Sequence, residues 1–192
     1  VLVSACPSLD LILPHLHRIQ KKFLVACVDT ALPILAKNNI QPDYVFSLDP
    51  QLDSTEYFIE YPTEKTRLVF TPTVNHNVLK IFSGERYVVY KEGHQLSKDS
   101  ESAMKEKGTT QAGGSVACLG LDMLIHFGCN PIFLTGQDCA FAGKRYYSNH
   151  SQFNQKLQDR IARMMPLEKL HREKAQEKKQ LTVKCTQGTP LP

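Results

Sequence analysis

The sequence predicts an α/β fold, a mostly parallel sheet with helices on both faces. Three observations carry that expectation. Apolar runs of four to six residues recur at 1–5, 23–28, 44–48, 67–70 and 86–90. Stretches of helical spacing alternate with them, the pattern of strands joined by helical crossovers. Polar residues directly follow the runs, as Cys6-Pro7-Ser8, Asp29-Thr30, Asp49-Pro50-Gln51 and Gly136-Gln137-Asp138. Those are the positions at which open α/β sheets hold ligands. The combination describes a Rossmann-like domain over residues 1–151, followed by a helical basic tail over 152–192.

A length of 192 residues suits one domain with a proper core. Hydrophobic residues at 42% and charged residues at 22% describe a globular chain rather than a disordered one. No apolar run approaches the ~20 residues needed to span a membrane. The six cysteines contain no CxxC pair, which suggests reduced thiols in a cytoplasmic protein rather than a disulfide framework or zinc site. The chain begins at Val1, directly with an apolar run and no basic flank, and reads as a piece of a larger protein. The net charge of +4 is concentrated in the tail, where mixed charges describe a solvated helix face. No aromatic stacking set accompanies it, so nucleic acid is not the expected partner.

Residues 1–5 form the first expected strand, and Ser8 or Asp10 is placed to cap the helix that follows. Leu13, Leu16 and Ile19 have helical spacing, but a proline disrupts a helix already under way, so the helix is expected to start or kink at Pro14. A second strand over 23–28 ends at Asp29-Thr30, and a short helix over 31–37 leads to Asn38-Asn39. The third strand, 44–48, ends in Asp49-Pro50-Gln51. Residues 67–70, 75–82 and 86–90 read as strand, short helix and strand. Residues 91–109 lack periodicity and predict a polar loop. From 152 to 180 the pattern is helical, interrupted at Pro166, and 182–185 reads as a last strand.

The most informative stretch is 110–141. Gly113 and Gly114 admit positive φ or the close approach of a ligand to the backbone, and Ser115 stands at an N-cap position. Val116, Ala117, Leu119, Leu121, Met123, Leu124, Ile125 and Phe127 are apolar almost all round, predicting a helix buried on most sides. Gly128 is placed for a left-handed C-terminal cap. After Asn130-Pro131, Ile132-Phe133-Leu134 forms a sixth strand and Thr135-Gly136-Gln137-Asp138 leaves its carboxyl end.

The carboxyl ends of parallel strands share one edge, so Asp29, Asp49 and Asp138 should converge there with Ser8. Each alone is equally a cap or turn residue; their convergence is what points to a ligand. Such aspartates bind a ribose hydroxyl, a base amine or a metal ion. The helix N-termini after Ser8 and Ser115 would offer free N–H groups to a phosphate. No GKS or GKT is present, so there is no Walker loop. The first loop lacks GxGxxG, which argues against a dinucleotide dehydrogenase, and the absence of GxSxG argues against a serine hydrolase.

Four motifs in this order carry a resemblance: Ala5-Cys6-Pro7-Ser8-Leu9, then Pro42-Asp43-Tyr44-Val45-Phe46-Ser47-Leu48-Asp49-Pro50, Gly113-Gly114-Ser115-Val116-Ala117, and Gly136-Gln137-Asp138-Cys139-Ala140-Phe141. Over about residues 1–150 the chain resembles the central domain of the motility accessory factors, glycosyltransferases that attach nonulosonic acids to bacterial flagellin. It is similar to the wider group containing archaeal 6-hydroxymethylpterin pyrophosphokinases. More distantly it resembles single-domain, Rossmann-like bacterial sialyltransferases that use CMP-activated sialic acid. One departure is local: Ser4 and Cys6 stand where the family's first loop has glycines, and their side chains would crowd a phosphate brought close to the backbone.

The resemblance implies a nucleotide-sugar pocket formed by Pro7, Ser8, Asp49, Gly114, Ser115, Gly136 and Asp138, alongside Asp29, Gly113 and Gln137. It implies a CMP-sugar donor, a flagellin-like protein Ser or Thr as acceptor, and no tightly bound cofactor or metal. Tyr146, Tyr147 and His150 are the catalytic candidates, with His150 as general base and His76 and His94 as weaker histidines. Lys144 and Arg145 are candidates for neutralising the donor. Two alternatives stay open: a pterin pyrophosphokinase using ATP and Mg²⁺ on Asp29, Asp49 or Asp138, and a non-catalytic nucleotide-binding module. Under the ligand reading, replacing Asp138 with Ala abolishes nucleotide binding and leaves the stability of the free protein nearly unchanged.

Overall fold

Six parallel strands, β1 (Leu2–Val3), β2 (Ala26–Val28), β3 (Tyr44–Ser47), β4 (Arg67–Phe70), β5 (Arg86–Val88) and a late-sequence strand, form one sheet. A small parallel pair, β6 (Tyr90–Lys91) with β7 (Thr109–Thr110), precedes that last strand, β8 (Leu134–Thr135). The computed structural model describes residues 1–59, 61–92, 109–111, 113–140, 145–152, 183–184 and 190–191. The expected loop over 93–108 and helix over 153–180 lie outside those residues. Val183–Lys184 pairs antiparallel with Pro190–Leu191, in keeping with a last strand.

Sheet order is β5-β4-β3-β2-β1-β8. The chain winds from β1 to β5 in one direction, then returns to add β8 on the far side of β1. The direction of winding therefore reverses at the β1–β8 seam, which is the topological switch point of the sheet.

Alternation along the strands divides the core in two. Val3, Val25, Cys27, Val45 and Leu68 face one side; Leu2, Ala26, Phe46 and Val69 face the other. The first side is covered by α1 (Leu9–Ile19), α2 (Leu32–Lys37), α3 (Glu56–Ile59) and α4 (His76–Ile81), and the second by α5 (Val116–His126). Helices thus lie on both faces, as the sequence predicts. Gly120 lets α5 lie close to the sheet: a Cβ there would sit 2.8 Å from Leu2 Cδ1 and 3.0 Å from Phe46 Cδ2.

Several elements differ from expectation for local reasons. β2 begins at Ala26, because the Val25 N–H donates to the Asp43 carboxylate at 2.8 Å rather than to a strand. Helix α1 runs unbroken through Pro14: Leu9, Leu13 and Leu16 are buried at helical spacing, and the proline sits on the exposed side, where water can serve the carbonyl it leaves. The 3₁₀ turn Leu52–Thr55 and the short α3 have no counterpart in the sequence reading. The central helix is less enclosed than its composition predicts. Only Leu119, Gly120 and Leu124 are buried, while Ile125 is 58% exposed. The Gly128 cap is as expected: φ is +75°, and the Cys129 and Gly128 N–H groups return to the Leu124 and Ile125 carbonyls. No helix among the described residues is long and apolar enough to cross a membrane.

Phe46, packed under Gly120, is the largest fully buried side chain on the α5 face. Phe46→Ala should lower unfolding free energy by about 3–5 kcal/mol. Urea denaturation with a shifted midpoint and an unchanged slope would report this; a loss below about 1 kcal/mol would mean that α5 does not close that face.

Candidate functional site

Parallel pairing continues past the ends of β1 and β8. Ser4 N–H donates to the Thr135 carbonyl at 2.9 Å, and Cys6 N–H to the Gly136 carbonyl at 3.0 Å. Gly136 has φ +67°, and a Cβ there would collide with the Ser4 carbonyl oxygen, so the seam itself requires glycine. Two residues further, Ser8 N–H donates to Asp138 Oδ2 at 2.8 Å and Ser8 Oγ donates to Asp138 Oδ1. Pro7, Ser8, Gly136, Gln137 and Asp138 are therefore neighbours, as expected.

Their roles differ from the expected ones. Ser8 does not cap its own helix; its φ is −63° and its hydroxyl turns to Asp138. The next three N–H groups, on Leu9, Asp10 and Leu11, reach the carbonyls of Cys6, Pro7 and Ser8 at 3.0–3.2 Å. The N-terminus of α1 thus has no free donors there for a phosphate, and Asp138 supplies the negative charge that its dipole favours. The same contact argues that Asp138→Ala lowers stability, against the expectation that it leaves the free protein nearly unchanged.

The loop after β8 is joined by a second anchor that the sequence reading missed. Asp10 accepts from Arg145 Nη1 at 3.0 Å, from Asn149 N–H at 3.1 Å and from the Ser148 hydroxyl, while Ser148 N–H donates to the Ala5 carbonyl at 2.8 Å. Arg145 makes this contact through Nη1; Lys144 and His94 lie outside the described residues. No local signal marks Asp10, because its partners are more than 130 residues away.

This anchor sets Tyr146 and Tyr147 over the rim, with ring centroids 5.0 Å apart. Tyr147 is half-buried, and its hydroxyl is pushed up to about 12 by burial, with smaller contributions from Tyr146, Tyr57, Cys6 and Asp29. Tyr57 is raised too, by burial first and then by Asp29 and Asp49. Parallel pairing of β1 with β2 and of β2 with β3 brings the carboxyl ends of all three to one rim. His150 is exposed, and its N–H donates to Ser148 Oγ at 3.2 Å. His76 is exposed at the start of α4.

Asp29 is buried, with its carboxylate accepting from Ser47 Oγ and from Thr30 N–H, both at 2.8 Å. Burial pushes its pKa up to about 6; the hydrogen bonds from Ser47 and Thr30 oppose that shift. Asp49 folds its own turn, accepting from Gln51 N–H at 2.9 Å. Among the described residues no three His, Cys, Asp or Glu side chains converge as a metal site.

Ser115 does cap α5, accepting from Ala117 N–H at 3.2 Å. Val116 touches both core clusters, so the first turn of α5 lies over the rim where the two faces meet. Gly113, Gly114 and Ser115 are exposed there, and a Cβ on Gly114 would meet nothing within 4 Å. Close by on the seam, Ser4 Oγ, Thr135 Oγ1 and Gln137 Nε2 are buried without a hydrogen-bond partner among the described residues. Polar groups left so are normally satisfied by water or a ligand. A separate cavity of about 500 Å³, lined by Leu32, Ala36, Ile40, Pro42, Tyr61 and Pro62, opens at the opposite, amino-terminal edge.

The family model for 6-hydroxymethylpterin diphosphokinase MptE-like proteins matches residues 1–144. Among solved structures, the MAf glycosyltransferase from Magnetospirillum magneticum AMB-1 superposes with a TM-score of 0.63 at 18% identity. The match covers 86% of this chain and 30% of that one. At that identity the likeness is one of fold. A comparison with curated proteins found no match.

Two measurements test the site's construction. Asp138→Ala strands the Ser8 donors and should cost about 1–3 kcal/mol; an unchanged melting temperature would mean that the Ser8 contact contributes nothing. Asp29 holds its proton more tightly folded than unfolded, so its contribution is fully present below 3.8 and is lost as pH rises through about 6. The stability of the natural protein relative to Asp29→Asn should therefore fall from pH 4 to 7, by on the order of 3 kcal/mol. A difference that is flat with pH would refute the assignment.

Proposed function

The chain belongs to the 6-hydroxymethylpterin diphosphokinase MptE-like family, and from that premise we propose that it is the nucleotide-sugar-binding part of a glycosyltransferase. The donor is a CMP-activated nonulosonic acid and the acceptor a Ser or Thr hydroxyl of a flagellin-like protein. One observation carries this reading: glycines that the fold does not require, at Gly113 and Gly114, sit at a helix N-terminus on the same rim as the switch point and a protonated tyrosine. That combination suits a small molecule bearing a phosphate. The fold shared with a MAf glycosyltransferase supports it.

Breaking the bond between sugar and phosphate leaves positive charge on the sugar and negative charge on departing CMP. The turn into α5 faces the phosphate with its dipole. Tyr147, held protonated well above neutral pH, donates a hydrogen bond to the leaving oxygen and cannot act as the base. His150, exposed to an incoming protein, takes the proton of the acceptor hydroxyl.

The family description favours a second reading, diphosphoryl transfer from ATP to a pterin. Mg²⁺ binds through one or two carboxylates plus substrate phosphates, a role that Asp29 and Asp49 would fill.

Thermal shift separates the two. CMP at about a hundred times its Kd should stabilise by about 2.7 kcal/mol without metal, whereas the kinase reading requires ATP with Mg²⁺. Gly114→Val should remove the CMP response at unchanged melting temperature of the free protein, since a Cβ at this position meets nothing within 4 Å. No response to either nucleotide leaves a non-catalytic module. His150→Ala should lower transfer roughly 10²–10⁴-fold; full activity would place the base elsewhere.

A further inference from the structure

The segment that carries the tyrosine pair is tied at both ends to one side chain, and the proposed chemistry assigns that side chain no part. Asp10 lies in the first turn of α1. Its Oδ2 accepts from Arg145 Nη1 at 3.0 Å and from Asn149 N–H at 3.1 Å, and its Oδ1 from the Ser148 hydroxyl. Tyr146 and Tyr147 lie between those partners in sequence, so one carboxylate holds the chain before the pair and after it. Ser148 N–H donates to the Ala5 carbonyl at 2.8 Å, which sets the same segment against the chain just past β1. Ser148 is fully buried, and Tyr147 packs on the α1 side of the core. A carboxylate offers about four acceptor sites on its two oxygens, and three donors converge on them here. An amide of the same shape has one acceptor oxygen and turns two donors of its own toward these groups.

We propose that Asp10 is the positioning residue for Tyr147: it clasps the chain on both sides of the tyrosine pair and so holds the Tyr147 hydroxyl where it meets the phosphate of the bound nucleotide. The inference rests on the glycosyltransferase reading for the nucleotide, and on the clasp alone for the placement of the tyrosine. Asp10 acts through Tyr147 and not on the reacting atoms. A hydrogen-bond donor contributes to transfer only in register with the departing oxygen, and a misplacement of about 1 Å can cost on the order of 10²-fold. Burial is the first cause that pushes the Tyr147 hydroxyl up to about 12. Once the clasp is opened, the ring is free to turn into water and titrate near the ordinary tyrosine value of about 10. The protonation of Tyr147 is therefore a gauge of its placement that needs no ligand.

The test compares the full natural chain with Asp10→Ala, Asp10→Asn, Tyr147→Phe and the double variant Asp10→Ala with Tyr147→Phe, each checked for folding by urea denaturation. Tyrosine ionisation, followed by ultraviolet absorbance, reads the clasp. By pH 11 Asp10→Ala should show about one more tyrosinate than the natural chain, and the gain should vanish in the Tyr147→Phe background. A general loosening would release other tyrosines as well. Asp10→Asn, equal in size but short of acceptors, should show the same gain and serves if the alanine variant does not fold. CMP affinity reads the consequence. Asp10→Ala and Tyr147→Phe should each weaken CMP roughly tenfold, and the double variant no further than Tyr147→Phe alone. Unchanged titration in the Asp10 variants would overturn the proposal. So would losses that add, since Asp10 would then act without the tyrosine. If the natural chain binds no CMP, the glycosyltransferase reading falls, and the titration still decides whether Asp10 holds Tyr147.

Discussion

The seam between β1 and β8 is the constraint on which the other features rest. It joins residues 2–6 to residues 133–136 by main-chain hydrogen bonds and ends in the contact of Ser8 with the Asp138 carboxylate. Closing a loop of that length costs conformational entropy that no local element recovers. The buried face beneath Leu2 and the pairs along the seam must offset it together. Because β8 joins on the far side of β1, the sheet reverses its winding there, and the loops of both strands meet at one rim. The place of the site follows from strand order before any side chain is considered.

The aspartates show how that rim is held. Asp10, Asp29, Asp49 and Asp138 all accept hydrogen bonds from backbone N–H groups, those of Asp10 and Asp138 coming from far away in sequence. Loops that leave strands have unpaired donors, and a short carboxylate is an efficient acceptor for them. A row of aspartates at strand ends is thus first a scaffold. What the scaffold leaves open lies elsewhere, at Gly113 and Gly114 and at the unpartnered Ser4, Thr135 and Gln137 groups.

Much of the fold was legible because its signals are local. Alternation in Val45 and Phe46, the capping serine at 115 and the left-handed Gly128 each depend on neighbours within a few residues. The sheet class and the shared rim followed from them. The roles of the polar residues were not legible. Ser8 was a plausible cap by local rules, and it became the partner of Asp138 only because β8 lies beside β1. Asp10 reads locally as an alternative cap to Ser8 and is instead the anchor for Arg145, Ser148 and Asn149. Pro14 is tolerated in mid-helix for a related reason: the three leucines that α1 buries against the core outweigh one missing donor on its outer side.

The two kinds of glycine at this rim have unequal diagnostic value. Gly136 is demanded by the Ser4 carbonyl whatever the molecule binds, while a Cβ on Gly114 would stand in open space. A signature built on Gly-Gln-Asp would therefore collect chains that share an architecture, including ones that bind nothing. Under the proposed ligand site, a signature built on Gly-Gly-Ser would instead sort them by occupant.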